Sequence, residues 1–324
     1  MILSALVLAS CAAASTSNSV APTPGATSIV QVANEASNTV ASFQLGLGGN
    51  IAPVRILGGS KTRLNRPTQV WPIVGSVLYV VNRGNNSITG YPNSSGGNVA
   101  PTIVIAGAKT TLNAPAALQL ETSNAIWVAN SGNDSIVQFA AGANGNVAPV
   151  LRLAGAKTDL HQPYSLHYAF RSGAIYVINR SSNSIAVFAK GSQGNVAPIQ
   201  LIMGQKTGLR EPAQLELDSK GNIWVANTGG RNVLEFAAGA TGDVAPINTL
   251  TLVTGQLRPS GLAFDAADNL TVADASQNAL YEFAASGTRG KATPIAIVRG
   301  PKTQLRSPQH LGVPQTIATP IPGT

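Results

Sequence analysis

A proline closing a short turn-forming segment returns at Pro53, Pro101, Pro149, Pro198, Pro246 and Pro294, 48 or 49 residues apart each time. Four of the six copies contain V-A-P, the first reads I-A-P and the last is worn to A-T-P. Self-similarity at this period means that each unit is one supersecondary element stacked on its neighbours. Short apolar segments broken by Gly, Asn and Pro then select a β-propeller over a helical solenoid.

Each unit offers four strands. In the third, residues 116–121, 125–130, 135–140 and 149–154 are rich in β-branched and aromatic residues, and no helical period competes with them. Between the last two segments stands Gly-Asn, recurring at Gly49-Asn50, Gly97-Asn98, Gly145-Asn146 and Gly194-Asn195, then as Gly242-Asp243 and Gly290-Lys291. Such residues tolerate the positive φ of a tight hairpin. The second segment ends at Asn34, Asn82, Asn130, Asn179, Asn227 or Asp274, whose side chains start a turn by bonding their own backbone. On this reading the asparagines are local punctuation.

The first unit lacks its innermost strand. It opens on a second-type segment at residues 28–34, whereas Pro308 and QHLGVP at the other end of the chain match the positions after Pro67, Pro115, Pro163, Pro212 and Pro259. One C-terminal strand joining three N-terminal strands completes the ring and leaves no open edge. The expected fold is therefore all-β: a six-bladed β-propeller of four-stranded antiparallel blades over residues 28–314. The run P-x-x-L-x-(L/F)-(E/D)…(G/N)-x-(I/L)-(W/Y)-V-A-N…S-I-x-x-F-A, clearest at residues 212–237 and 115–140, resembles the NHL-repeat propellers. The chain departs from that pattern where a glycine usually follows the proline by two: only Gly261 keeps it, and Gln69, Ala117, Ser165, Gln214 and His310 replace it.

Aromatic residues obey the period. Phe43, Tyr91, Phe139, Phe188, Phe236 and Phe283 share one slot, and Tyr79, Trp127, Tyr176 and Trp224 share another, so these are assigned to the core between blades. Trp71 and Tyr164 are left over as the aromatics free to stack on a ligand. The only cysteine, Cys11, follows Leu8-Ala9-Ser10 and an apolar start, which is similar to a bacterial lipobox. Residues 1–11 then form a lipoprotein-type signal peptide, 12–27 an Ala/Ser/Thr/Pro-rich tether and 315–324 a disordered tail. An exported, lipid-anchored cell-envelope protein is expected, a monomer held to the membrane through Cys11. No internal disulfide can form from one cysteine.

Charge is unevenly placed. The net charge is +8, and the loops joining strands two and three, together with the links between blades, hold 13 basic residues against five acidic. These loops share one face, here the top. Five of the cations, Lys61, Lys109, Lys157, Lys206 and Lys302, fill one slot of a K-T-x-L motif, as a loop brace would. Arg66, Arg83, Arg180, Arg210, Arg231, Arg258 and Arg306 do not share one slot, and they are read as the ligand-binding set. A one-signed surface of this kind attracts an anionic glycan, a lipid headgroup or an acidic envelope protein. Nucleic acid ranks below these for an exported chain, despite the high isoelectric point.

The resemblance also brings an enzymatic alternative, because amidating lyases, virginiamycin-type lyases and lactonases share this architecture. His167 and Glu216 occupy matching first-strand positions in adjacent blades, and His310 lies two positions earlier in its own strand. Imidazole and carboxylate near the axis suit acid–base work or a divalent metal at the channel, as in a metal-dependent lyase or hydrolase. No G-x-S-x-G elbow or P-loop is present. Binding without a cofactor is the primary expectation.

Overall fold

The computed structural model describes residues 29–73 and 76–313. They form six antiparallel sheets arranged as blades, with first strands nearest the axis at Pro67–Pro72, Pro115–Leu120, Pro163–Tyr168, Pro212–Leu217, Pro259–Phe264 and Pro308–Gly312. Among the described residues there is no α-helix, only short 3-10 turns. The last first strand pairs with Ile29–Asn34, which pairs with Thr39–Gln44 and then Arg55–Gly58, so the ring closes as the orphan strand predicts. The signal, tether and tail segments lie outside the described residues.

Packing follows the repeat. Phe43, Tyr91, Phe139, Phe188, Phe236 and Phe283 are all buried, as are Trp127, Trp224 and Tyr79, and together they fill the wedges between blades. Apolar faces that a lone four-stranded sheet would leave wet are covered by the neighbouring blade, the condition for stability in a repeat protein. In the K-T-x-L links the bracing falls to threonine and leucine. Thr62, Thr110, Thr158, Thr207 and Thr303 are buried, and each donates its hydroxyl to the carbonyl of the glycine three residues earlier at 2.6–2.7 Å. The lysine side chains between them are exposed.

The asparagines do more than punctuate. The Gly-Asn segment crosses onto the preceding blade instead of making a tight hairpin: Gly97 lies parallel to Leu57, Gly145 to Ile105, Gly194 to Leu153, Gly242 to Ile202, and Gly49 to Val298 across the ring closure. The amide after it accepts from the lysine N–H of the preceding link, as in Asn98 with Lys61 at 2.7 Å and Asn50 with Lys302 at 2.8 Å. The link between the first two blades is thus held by three side-chain amides, because Asn82 also accepts from Asn65 N–H and Asn38 from Arg66 N–H. Each blade's outer edge is covered by its successor, which removes the unpaired edge that invites aggregation. Gly59 shows how close the approach is: its φ is +116°, and a Cβ there would stand 2.6 Å from the Asn98 side chain.

One link departs from the pattern. Residues 253–258, between blades five and six, lack the 3-10 turn, and Lys291–Ala292 pairs in parallel with Thr251–Leu252 instead. The loop side chain that elsewhere accepts from the residue before the next first strand departs with it. Arg231 stands where other blades carry Asn38, Asn86, Asp134, Asn183 and Asn278, and its guanidinium bonds Gln256 on the shortened link.

Candidate functional site

The axis is plugged, not open. The third residue of every first strand, Gln69, Ala117, Ser165, Gln214, Gly261 and His310, is buried. Gln214 bolts three blades: its Oε1 accepts from Leu262 N–H at 3.0 Å and Leu311 N–H at 3.1 Å, while its Nε2 donates to Glu216 Oε1 at 2.9 Å. Gln69 accepts from Leu118 N–H at 2.5 Å. Gln69 and Gln214 therefore satisfy backbone donors of neighbouring blades. Gly261 survives because a Cβ there would meet the Gln309 carbonyl oxygen at 2.5 Å.

His310 belongs to this plug. Its ring packs edge-on to Tyr164 of the opposite blade at 5.3 Å, and Tyr164 in turn lies under Arg180 at 4.6 Å and Arg83 at 5.5 Å. Burial, with the Arg180 charge adding to it, holds the imidazole down to about 3. It stays neutral at physiological pH. Tyr164 is correspondingly closed off, with its ring committed to two guanidinium groups.

At the other end of the axis, the bottom, the fifth residues of the first strands surround a cavity of about 230 Å³. Around the ring these positions read Trp71, Gln119, His167, Glu216, Ala263 and Gly312, all of which line the cavity with Phe170, Phe264 and Leu217. His167 Nδ1 stands 3.1 Å from Glu216 Oε2, and both side chains are largely buried. The imidazole nitrogen is not aligned for a hydrogen bond, so the contact is that of an ion pair available on protonation. His167 and Glu216 are thus brought together, while His310 lies two residues nearer the top of its strand and does not line this cavity. Gly312 is required by close approach: a Cβ would stand 2.7 Å from the Val70 carbonyl oxygen.

On the top face the seven arginines separate into distinct roles. Arg66 pairs with Glu35 at 2.7 Å and Arg180 with Glu211 at 3.8 Å. Arg83 and Arg180 follow the terminal asparagine of their second strands and cover Tyr164. The seven do not share one slot, but Arg210, Arg258 and Arg306 occupy equivalent positions. The N–H of each is accepted by the side chain ending a second strand, Asn227 at 2.6 Å, Asp274 at 2.7 Å and Asn34 at 3.1 Å respectively. They stand on three consecutive blades, exposed, with no carboxylate within ion-pair distance among the described residues. Counting residues back from the proline hides this equivalence, because the link before Arg258 is the shortened one.

These features define a six-bladed β-propeller with a basic, plugged top and a small axial cavity beneath. Solved structures agree on the fold. The chain is similar to a chain of a nidogen/laminin complex (12% identity, TM-score 0.64, 89% of this chain and 98% of that one). It is also similar to a virginiamycin B lyase from Staphylococcus aureus solved with quinupristin (12%, TM-score 0.56, 81% and 78%). A putative 6-phosphogluconolactonase from Bacteroides fragilis gives 17% identity and a TM-score of 0.58 over 86% and 80% of the two chains. At these identities the likeness is one of fold. No protein-family model and no curated protein matches the chain.

Proposed function

We propose that this chain is an NHL-like binding propeller of the bacterial cell envelope, anchored through Cys11, whose basic top face takes an anionic ligand: an acidic glycan, a lipid headgroup or an acidic protein. The observation that carries this reading is the arc of Arg210, Arg258 and Arg306, three exposed and unpaired guanidinium groups held at one structural level on successive blades. Arg66, Arg83, Arg180 and Arg231 contribute to the local field but are engaged by Glu35, Tyr164, Glu211 and Gln256. Ile29, the first described residue, opens its strand at the bottom, on the face opposite the arginines.

Replacing Arg210, Arg258 and Arg306 with serine is expected to weaken binding to an acidic glycan such as heparin roughly tenfold at low salt, with the difference shrinking as ionic strength rises. The matched triple change of Arg152, Arg289 and Arg299, exposed on outer strands or the bottom loops, removes the same charge and should cost less than about twofold. Affinity chromatography of both variants over a salt gradient measures the contrast. Equal losses would reduce the top face to a global charge effect.

For the anchor, Cys11→Ser in the full-length reading frame should abolish incorporation of labelled fatty acid and release the propeller from the membrane fraction. Undiminished labelling in that variant would remove the lipoprotein reading and leave the propeller unaffected.

The enzymatic alternative has one supporting observation, the 3.1 Å approach of His167 to Glu216. Two features weigh against a metal centre there. Glu216 Oε1 is occupied by Gln214, and among the described residues no three His, Cys, Asp or Glu side chains cluster.

A further inference from the structure

We infer that the bottom face carries a second binding site, a groove between the fourth and fifth blades that takes a small planar organic acid, its ring against Phe170 and its carboxylate towards Tyr176, Arg171 and Lys220. The groove has a volume of about 360 Å³ and adjoins the axial cavity along His167, Phe170 and Leu217. That is within the size range of small-molecule sites.

An interrupted pairing supplies the first argument. Trp127, Tyr176 and Trp224 pair with Gln119, His167 and Glu216 at one structural level of the third, fourth and fifth blades. In the third and fifth blades the residue after the first strand is a carboxylate that accepts from the tryptophan: Glu121 from Trp127 at 3.1 Å and Asp218 from Trp224 at 3.2 Å. The fourth blade has Ala169 there, although the turn is the same, with the Ala169 N–H bonded to the Ala174 carbonyl at 2.9 Å. The Tyr176 hydroxyl thus lacks its neighbours' acceptor. It lines the groove, reaches water and has no bonding partner among the described residues. Burial raises its pKa, so it remains a donor.

Exposure supplies the second. Phe170 leaves 42% of its surface in water where other loops carry Thr122, Ser219 and Ala266, and its ring is set edge-on to Tyr168 at 5.5 Å. One exposed apolar side chain is ordinary. This one lines the same groove as an open hydroxyl, with Leu217 and Ala169 continuing the apolar wall. A flat ring laid against it would remove that surface from water.

Charge sets the class of ligand. Arg171 and Lys220, from the loops of the two blades, line the groove, are exposed and have no ion-pair partner among the described residues. Asp218, the carboxylate lining the groove, is engaged at both oxygens: Oδ1 accepts from the Lys220 and Asn222 N–H groups, and Oδ2 from the Asn222 and Trp224 side chains. Two unpaired cations beside an apolar wall favour an anion carrying a ring. The site is on the face opposite the arginine arc and does not depend on it.

The probe is 2-naphthoate, with 2-naphthamide as its neutral counterpart, titrated into the intact protein by isothermal calorimetry. Saturable binding of 2-naphthoate is expected with a Kd below about 1 mM, and 2-naphthamide should bind at least about fivefold more weakly. Tyr176→Phe keeps the ring and removes the hydroxyl, and should weaken 2-naphthoate roughly threefold to tenfold. Ala169→Asp gives Tyr176 the acceptor that Trp224 has and adds a like charge, so it should abolish binding in a turn that the fifth blade already builds with aspartate. Arg171→Ser with Lys220→Ser should bring 2-naphthoate down to the affinity of 2-naphthamide, whereas the same charge removed at Arg152 and Arg299 should cost less than about twofold. Far-UV circular dichroism and melting midpoints report whether each variant is folded. No saturable binding in the wild-type protein, equal affinity for 2-naphthamide, undiminished binding in Ala169→Asp, or equal losses from the two double variants would each overturn the proposal.

Discussion

A chain lacking residues 309–324 is expected to melt at least about 10 °C below the intact protein and to self-associate, while a chain lacking only 315–324 keeps its midpoint. The longer deletion removes the pairing of Leu311 with Val32 and Gly312 with Gln31, and with it the buried Leu311 and His310 side chains. It exposes the edge of Ile29–Asn34 and takes two backbone partners from Gln214. Complete unfolding is not expected, because a second latch survives on the outside of the ring. Gly49 N–H donates to the Ile297 carbonyl at 2.6 Å, and Asn50 still caps Lys302. Thermal melts of both truncations, with light scattering to detect edge pairing, check the result. Identical midpoints would mean that the C-terminal strand does not close the ring.

Gln214→Ala should cost roughly 4 kcal/mol, the largest loss expected of a single polar substitution in this protein. It strands the N–H groups of Leu262 and Leu311 in a buried plug, at about 1–3 kcal/mol each, and leaves a void at the meeting of three blades. Gln309→Ala is the control. Gln309 is equally near the axis, but its side chain bonds only Ser307, two residues away, so its loss should stay within about 1 kcal/mol. Urea titrations with slopes compared across variants measure the difference. A loss below about 1 kcal/mol for Gln214→Ala would show that the plug is not held by this side chain.

The two experiments probe features that differ in how far they can be read without coordinates. Blade number, strand positions and ring closure were legible because they rest on local information. An apolar alternation, a turn residue or a proline reports on its own few neighbours, and the 48-residue period repeats the report six times. The aromatic core was legible for the same reason. The asparagines were only half legible: their turn-forming chemistry is local, but Asn98 caps a link 37 residues earlier and Asn50 one 252 residues later.

The functional surfaces were less accessible to counting. Arg210, Arg258 and Arg306 become equivalent only through shared hydrogen bonds, because the shortened link shifts the register in which Arg258 is counted. His167 and Glu216 could be paired from matching strand positions, and His310 placed two positions earlier, whereas the edge-on contact of His310 with Tyr164 across the axis could not be read. Tyr176 was visible as one of a repeated aromatic slot, but its missing acceptor was not, since a hydrogen bond is satisfied or orphaned in three dimensions. The sequence by itself determined the ring, through local strand and turn preferences repeated at a constant spacing. Only the tertiary structure decided which face is open, which arginines are unpaired and where a donor lacks a partner, because those outcomes follow from spatial contacts that chain distance does not encode.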